Sequence, residues 1–71
     1  MNKPEFKFQV VQKRFFLEGS LKGMTIEHKS VRYETEQAAL DYAQHCVGLT
    51  VGGGHLGPEC RIEAAWVVEA A

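Results

Sequence analysis

One segment of the chain, residues 35–47, has the periodicity of an amphipathic helix, and this helix restricts the folds that the chain can adopt. Its apolar side chains recur on one stripe at helical spacing. They are Ala39, Leu40, Ala43, Cys46 and Val47. Thr35 has the side chain of an N-cap, and Gly48 is a typical stop. A helix this short is marginal on its own, so it needs an apolar surface to lie on.

The segments before the helix show the alternation of half-buried β-strands. Residues 6–17 predict a first strand, a turn with a glycine at each end follows at 19–23, and residues 24–33 predict a second strand. The alternation fails twice in the first strand, at Val10–Val11 and at Phe15–Phe16. Two explanations are open, a β-bulge that switches faces or a strand that is apolar on both sides, and we favour the bulge.

A glycine-rich loop at 48–59 precedes the last predicted strand, residues 60–69. The side chains of this strand that are expected to face the helix are Ile62, Ala64, Trp66 and Val68. Trp66 would be the largest core anchor. Residues 1–71 are thus predicted to form a single small α+β domain with the element order β-β-α-β. We expect a three-stranded antiparallel sheet of strand order 2-1-3, with one helix packed on one face.

A single helix can cover only one face of this sheet, so apolar side chains remain for the open face. The candidate interface residues are Val11, Phe15, Leu17, Ala65 and Val67. Exposed apolar patches on small domains often form interfaces between copies of the same chain. We therefore predict a homodimer through the open face or an edge strand. The leading hypothesis is a non-enzymatic, self-associating interaction module whose further protein partner is unknown.

Charge supports an alternative, because it is distributed unevenly along the chain. The net charge is only −1, which argues against a purely electrostatic partner, but residues 1–33 carry seven of the eight Lys and Arg residues. Phenylalanines and Tyr33 are interleaved with these cations, and sheet aromatics beside cations can stack bases and hold phosphates. The alternative is a nucleic-acid-binding protein that uses the hairpin 6–33. Its candidate binding residues are Lys7, Lys13, Arg14, Lys22, Lys29 and Arg32.

The glycine-rich loop contains a formal match to G-x-G-x-x-G at residues 52–57. This match follows a helix and precedes a strand, whereas a dinucleotide-binding fold needs a strand before the glycines and a helix after them. We therefore predict no dinucleotide cofactor. The loop could still hold an anion on its bare backbone N–H groups. The candidate ligand-loop residues are Gly52, Gly53, Gly54 and His55.

Cysteine and histidine residues raise the questions of metal binding and catalysis. Cys46, His55 and Cys60, with His28 or His45, match no standard zinc spacing, so no metal is predicted. Cys60 and His55 lie close along the chain, but no orienting third residue is evident, so no catalytic residue is predicted. The third hypothesis is a small-ligand or enzyme site at the dimer interface near His28, His55 and Cys60.

The compartment is predicted from what the chain lacks. No secretory signal is evident after Met1, no apolar run approaches the length of a membrane span, and two cysteines are too few for a disulfide scaffold. We expect a cytoplasmic protein with reduced thiols and no membrane association.

Residues 32–43 resemble the strand-to-helix junction of plant AP2-type DNA-binding domains, and they are similar to that of phage-integrase arm-binding domains. There an aromatic residue ends a strand, Ser or Thr caps the helix, and alanines face the sheet, as Tyr33, Thr35 and Ala39 would here. AP2-type domains place their strands before the helix, whereas one strand is predicted after it here. The strand motifs expected of them are missing, so no binding residue is carried over.

Overall fold

The computed structural model describes residues 6–70, which form one antiparallel sheet with one α-helix packed on it. In chain order the elements are β1 (Phe8–Phe16), β2 (Thr25–Tyr33), α1 (Glu36–Cys46), β3 (Thr50–Val51), a 3₁₀ turn (Gly54–Leu56) and β4 (Cys60–Glu69). The strand order across the sheet is β2-β1-β4-β3. Within the described part of the chain, no helix has the length and apolarity that crossing a bilayer requires.

The α+β class and the single helix on an antiparallel sheet are confirmed, but the prediction of three strands is wrong. The fourth strand, β3, lies inside the predicted loop and pairs with the first residues of β4. Its two residues are too few to show an alternating pattern. The N–H of Gly48 donates to the carbonyl of Ile62 at 2.8 Å, and the N–H of Ile62 donates to Leu49 at 2.9 Å. Backbone hydrogen bonds therefore join the loop to β4, beginning at Gly48, soon after α1 ends.

The helix begins and ends where its sequence signals predict. Thr35 is the N-cap, and its hydroxyl oxygen accepts from the N–H of Ala38 at 3.2 Å. Ala39 and Ala43 are buried against Val10 of β1. Because these side chains are small, the helix axis can approach the sheet closely. The side chains that complete this core are Phe8, Tyr33, Tyr42, Ala65 and Val67.

A bulge in β4 decides which of its side chains face α1. Lys13 of β1 lies opposite Ala64, but the next residue, Arg14, lies opposite Ile62. Glu63 is therefore the extra residue. Each side chain of β4 after Glu63 faces the side of the sheet opposite to the one that unbroken alternation would give it.

Because of this bulge, three of the four β4 side chains that were expected to face α1 lie on the open face instead. Ile62 is buried as predicted, but Ala65 and Val67 pack against the core beneath α1. Trp66, expected as the core anchor, lies on the opposite face, in register with Val11, and is 37% exposed.

The second irregularity lies in β2. Gln9 of β1 lies opposite Arg32, whereas Val11 lies opposite Lys29, so β2 contributes one residue more than β1. The prediction of a bulge in β1 is thus wrong, and the alternative of a strand apolar on both faces is correct. The physical reason is the central position of β1, where Val10 is 0% and Val11 is 5% exposed.

Gly52 and Gly23 form a matched pair that tests how closely the backbone of the loop at 48–59 packs against itself, at Gly52 and Pro58. Their φ angles are nearly equal, +86° and +85°. A Cβ at Gly52 would lie 2.5 Å from the carbonyl oxygen of Pro58, whereas a Cβ at Gly23 would meet no heavy atom within 4 Å. We expect Gly23→Ala to lower the free energy of unfolding by about 1 kcal/mol through backbone strain. Gly52→Ala should cost at least ~1 kcal/mol more, because the Pro58 backbone must also move.

Urea denaturation followed by circular dichroism measures both losses. Equal losses would show that the contact between Gly52 and Pro58 does not constrain the loop.

Candidate functional site

A pocket of about 290 Å³ lies on the helix side of the sheet, beyond the C-terminal end of α1. The sheet forms its floor with five side chains: Arg14, Phe16, Ile26, His28 and Cys60. The segment from β3 to the start of β4 forms its wall with Val51, Gly52, Leu56 and Pro58. The pocket is mostly apolar and contains few polar groups, which is the usual composition of a ligand site.

A buried glutamine fixes the position of the arginine in this pocket. Gln12 is 1% exposed, and its Nε2 donates to the Sγ of Cys46 at 3.2 Å. Its Oε1 accepts from both Nε and Nη2 of Arg14, at 2.9 and 2.7 Å. The guanidinium is therefore held along one edge, and its other edge is left to donate to a ligand. Within residues 6–70 no carboxylate forms an ion pair with Arg14.

His28 is the second polar group of the floor. It lies on β2, directly opposite Gln12 of β1. Burial lowers the pKa of His28, and the nearby charge of Arg14 lowers the pKa further. Both causes disfavour the imidazolium, so His28 is mainly neutral at pH 7. No carboxylate lines the pocket, so the guanidinium of Arg14 supplies its only full charge at that pH.

Of the predicted ligand-loop residues, Gly52 lines the pocket, but Gly53, Gly54 and His55 are not among its lining residues. The N–H of Gly53 donates to the carbonyl of Gly57 at 2.8 Å, so it is not available to an anion. His55 is exposed. Gly52 therefore contributes to the pocket wall, and one of the predicted anion donors, the N–H of Gly53, is bonded within the loop.

The structure brings His28 and Cys60 together in the pocket but leaves His55 outside it. The pocket lies on the helix side of the sheet and is therefore not part of the open face. Cys46 and Cys60 are both buried and unpaired. Residues 6–70 contain no group of three or more His, Cys, Asp or Glu side chains that could hold a metal ion.

The open face of the sheet is a second candidate surface. Trp66 lies opposite Val11, and Val68 follows on the same side of β4. The guanidinium of Arg61 lies over the ring of Phe15, 5.5 Å from its centroid. These side chains form an apolar strip along β1 and β4 that no element covers within the described residues.

Two of the five predicted interface residues, Val11 and Phe15, lie on this open face. Leu17 follows β1, is half-buried, and its N–H donates to the carbonyl of Glu59 at 2.9 Å. Ala65 and Val67 lie on the helix side, because the extra residue Glu63 shifts the alternation of the β4 side chains by one position. The expectation that Trp66 faces the helix is wrong for the same reason.

The predicted nucleic-acid-binding residues are divided between several parts of the molecule. Lys13, Lys29 and Arg32 lie on the open face, whereas Arg14 lies in the pocket on the other side. Lys22 lies in the β1–β2 turn. Lys7 precedes β1, and its carbonyl accepts from the N–H of Ala70 at 2.6 Å. The basic hairpin is thus not one continuous basic surface.

No family model, no curated protein and no solved structure matches this chain. The function of the pocket and of the open face therefore has to be inferred from their side chains.

The pKa of His28 tests whether the guanidinium of Arg14 is held beside it. Arg14→Gln removes the positive charge that disfavours the imidazolium, so the pKa of His28 should rise toward its ordinary value. Burial still lowers this pKa, so it should not rise above that value. An NMR titration of the His28 imidazole signals in the wild type and the variant measures the change. An unchanged or lower pKa for His28 would show that the two groups do not interact.

Proposed function

We propose that this chain is a non-enzymatic binding module that self-associates through the open face of its sheet. The observation that carries the proposal is the position of Trp66, the only tryptophan in the chain, on the face that lacks a helix. Burying a large aromatic side chain contributes more to association than burying most other residues, and tryptophan is enriched at interface hot spots. A second copy of the chain is the occupant that we propose for this face.

The dimensions of the face suit a small interface. The nine-residue strands β1 and β2 make it roughly 30 Å long, and three long strands make it about 15 Å wide. Specific interfaces usually bury about 800 Å² on each partner, and the flat area of this face, roughly 450 Å², is smaller than that. We therefore expect a weak dimer whose population depends on protein concentration.

The free edge of β2 is a poorer site for association than the open face. The strand carries the charged side chains of Glu27 and Lys29, and it contains a bulge near Ser30. Edge charges and bulges both discourage pairing with another strand. The open face has an apolar strip formed by Val11, Phe15 and Trp66 instead, and one charged residue of β1, Lys13, lies between Val11 and Phe15.

A non-enzymatic role is supported by the arrangement of the candidate nucleophile. Cys60 is 3% exposed, and within the described residues no hydrogen bond joins it to His55 or His28. A reactive thiol needs both access and an activating partner. We propose a cytoplasmic setting in which both cysteines stay reduced.

Trp66→Arg tests the dimer. The arginine stem can still cover Val11, but its charge would be buried in the interface, so the variant should remain monomeric while the wild-type protein dimerises. Sedimentation equilibrium over about a hundredfold range of concentration measures the change. The control is Val47→Lys, which makes a similar change at a residue that is 48% exposed at the end of α1.

The control variant should dimerise as the wild type does, and circular dichroism should show that all three proteins are folded. A wild-type protein that stays monomeric throughout the range would end the proposal. Loss of dimerisation in the Val47→Lys control would place the interface elsewhere.

One observation favours a second function, the binding of single-stranded nucleic acid by the same face. Lys29 lies in the same row across the sheet as Trp66. Arg32 is on the same face, and so is Lys13, which lies opposite Glu27. An accessible aromatic side chain beside cations can stack a base while the cations hold its phosphates. Lys13 lies on the central strand, where it opposes tight packing of two copies.

Fluorescence anisotropy with a labelled single-stranded oligonucleotide distinguishes the two functions. If the face binds nucleic acid, the affinity should fall steeply with added salt, and Lys13→Gln should weaken binding and reduce the salt slope by about one. Lys22→Gln, in the β1–β2 turn, is the matched control and should have little effect. Absence of salt-sensitive binding at low ionic strength would leave self-association as the sole function of the open face.

A further inference from the structure

The pocket on the helix side of the sheet has no role in self-association through the open face, and it contains a charge without a counter-charge. Arg14 is half-buried, and its guanidinium is bonded to a neutral amide rather than to a carboxylate. Removing a cation from water without an opposite charge is unfavourable. Bringing an anion into the pocket would offset this cost.

We propose that the pocket binds a small organic carboxylate, with its charged group on Arg14 and His28 and its apolar body toward Leu56. Because Gln12 accepts from one edge of the guanidinium, the other edge is left as a pair of parallel donors. Such a pair matches the two oxygens of a carboxylate. A neutral His28 can donate one further N–H.

The charge of the pocket favours a monoanion over a phosphate dianion. Arg14 provides one full positive charge, and the second basic group, His28, is mainly neutral at pH 7 because burial and Arg14 lower its pKa. A dianion would therefore keep an uncompensated negative charge in an apolar setting. A single carboxylate balances the pocket.

The shape of the pocket indicates that the ligand also has an apolar part. Phe16 and Ile26 line the floor, and Leu56 at the rim is 73% exposed. An exposed leucine beside a concave apolar surface gains free energy when a ligand covers both. The volume of about 290 Å³ is near the lower limit for ligand sites, so the body is small.

Gln12 is a positioning residue for this site. It is buried beneath the end of α1, where it connects the Sγ of Cys46 to the guanidinium of Arg14. Without its Oε1, the guanidinium would keep its charge but lose the orientation that directs its free edge into the pocket.

The test uses ¹⁵N-labelled full chain with phenylacetate and its neutral amide, phenylacetamide, as a pair of equal shape. Phenylacetate should shift the signals of Arg14 Nε–H, His28 and Leu56 saturably, with a Kd in the millimolar range or below that suits about ten non-hydrogen atoms. Phenylacetamide should bind at least about tenfold more weakly, because it carries no negative charge and offers only one acceptor oxygen to the paired donors of Arg14. Inorganic phosphate, which lacks the apolar body, should also bind more weakly than phenylacetate.

Three variants distinguish the contribution of the Arg14 charge, that of its paired donors, and a merely structural role of Gln12. Arg14→Gln should abolish saturable binding, and Arg14→Lys should weaken it several-fold, because lysine keeps the charge but lacks the paired donors. Gln12→Met should reduce the preference for phenylacetate over phenylacetamide. If Gln12 merely supported the fold, its loss would weaken both ligands equally, and the preference would be unchanged.

The proposal is overturned if phenylacetate causes no saturable shifts, if the amide or phosphate binds as well, or if the shifts map to the open face. Trp66→Arg should bind phenylacetate as the wild type does. Failure of the dimer and failure of this site are therefore distinguishable.

Discussion

The bulge at Glu63 is the constraint on which the rest of the structure depends. By adding one residue to β4, it allows Ile62 on one side of the bulge, and Ala65 and Val67 on the other, to contribute to the helix side of the sheet. It also turns Trp66 away from α1. Without the extra residue, a strand of strict alternation would place Trp66 under the helix and leave small side chains on the open face. The helix-side core and the exposed aromatic strip thus have one common cause.

The core that results is small, and its only buried polar side chain, within the described residues, is that of Gln12. A buried amide is stable only when its hydrogen bonds are made, and here the partners come from the end of α1 and from β1 itself. The same interactions that satisfy the amide also hold Arg14 at the pocket floor. Stability of the core and orientation of the pocket cation are therefore coupled through one side chain.

The parts of the fold with strong local signals could be predicted from the sequence. Thr35 and the apolar stripe that follows it specify α1, because capping and 3.6-residue periodicity are local properties. The bulge at Glu63 has no such signal, since Glu-Ala-Ala is equally compatible with an unbroken strand. The two-residue β3 is too short for any pattern, and it is held by hydrogen bonds to β4. The candidate sites were misassigned where they depended on these long-range contacts: Ala65 and Val67 were placed on the wrong face, and Arg14 was grouped with surface cations.

The molecule thus has two unlike surfaces on opposite sides of one sheet, an aromatic strip and a pocket with one fixed cation. The central claim is that the strip around Trp66 is where a second copy binds. Amide and indole NMR spectra recorded at increasing protein concentration test it most directly. The account predicts progressive shifts at Trp66, Val11 and Phe15, with the signals of α1 unchanged. Shifts confined to α1 or to the edge of β2, or spectra that do not change with concentration, would contradict it.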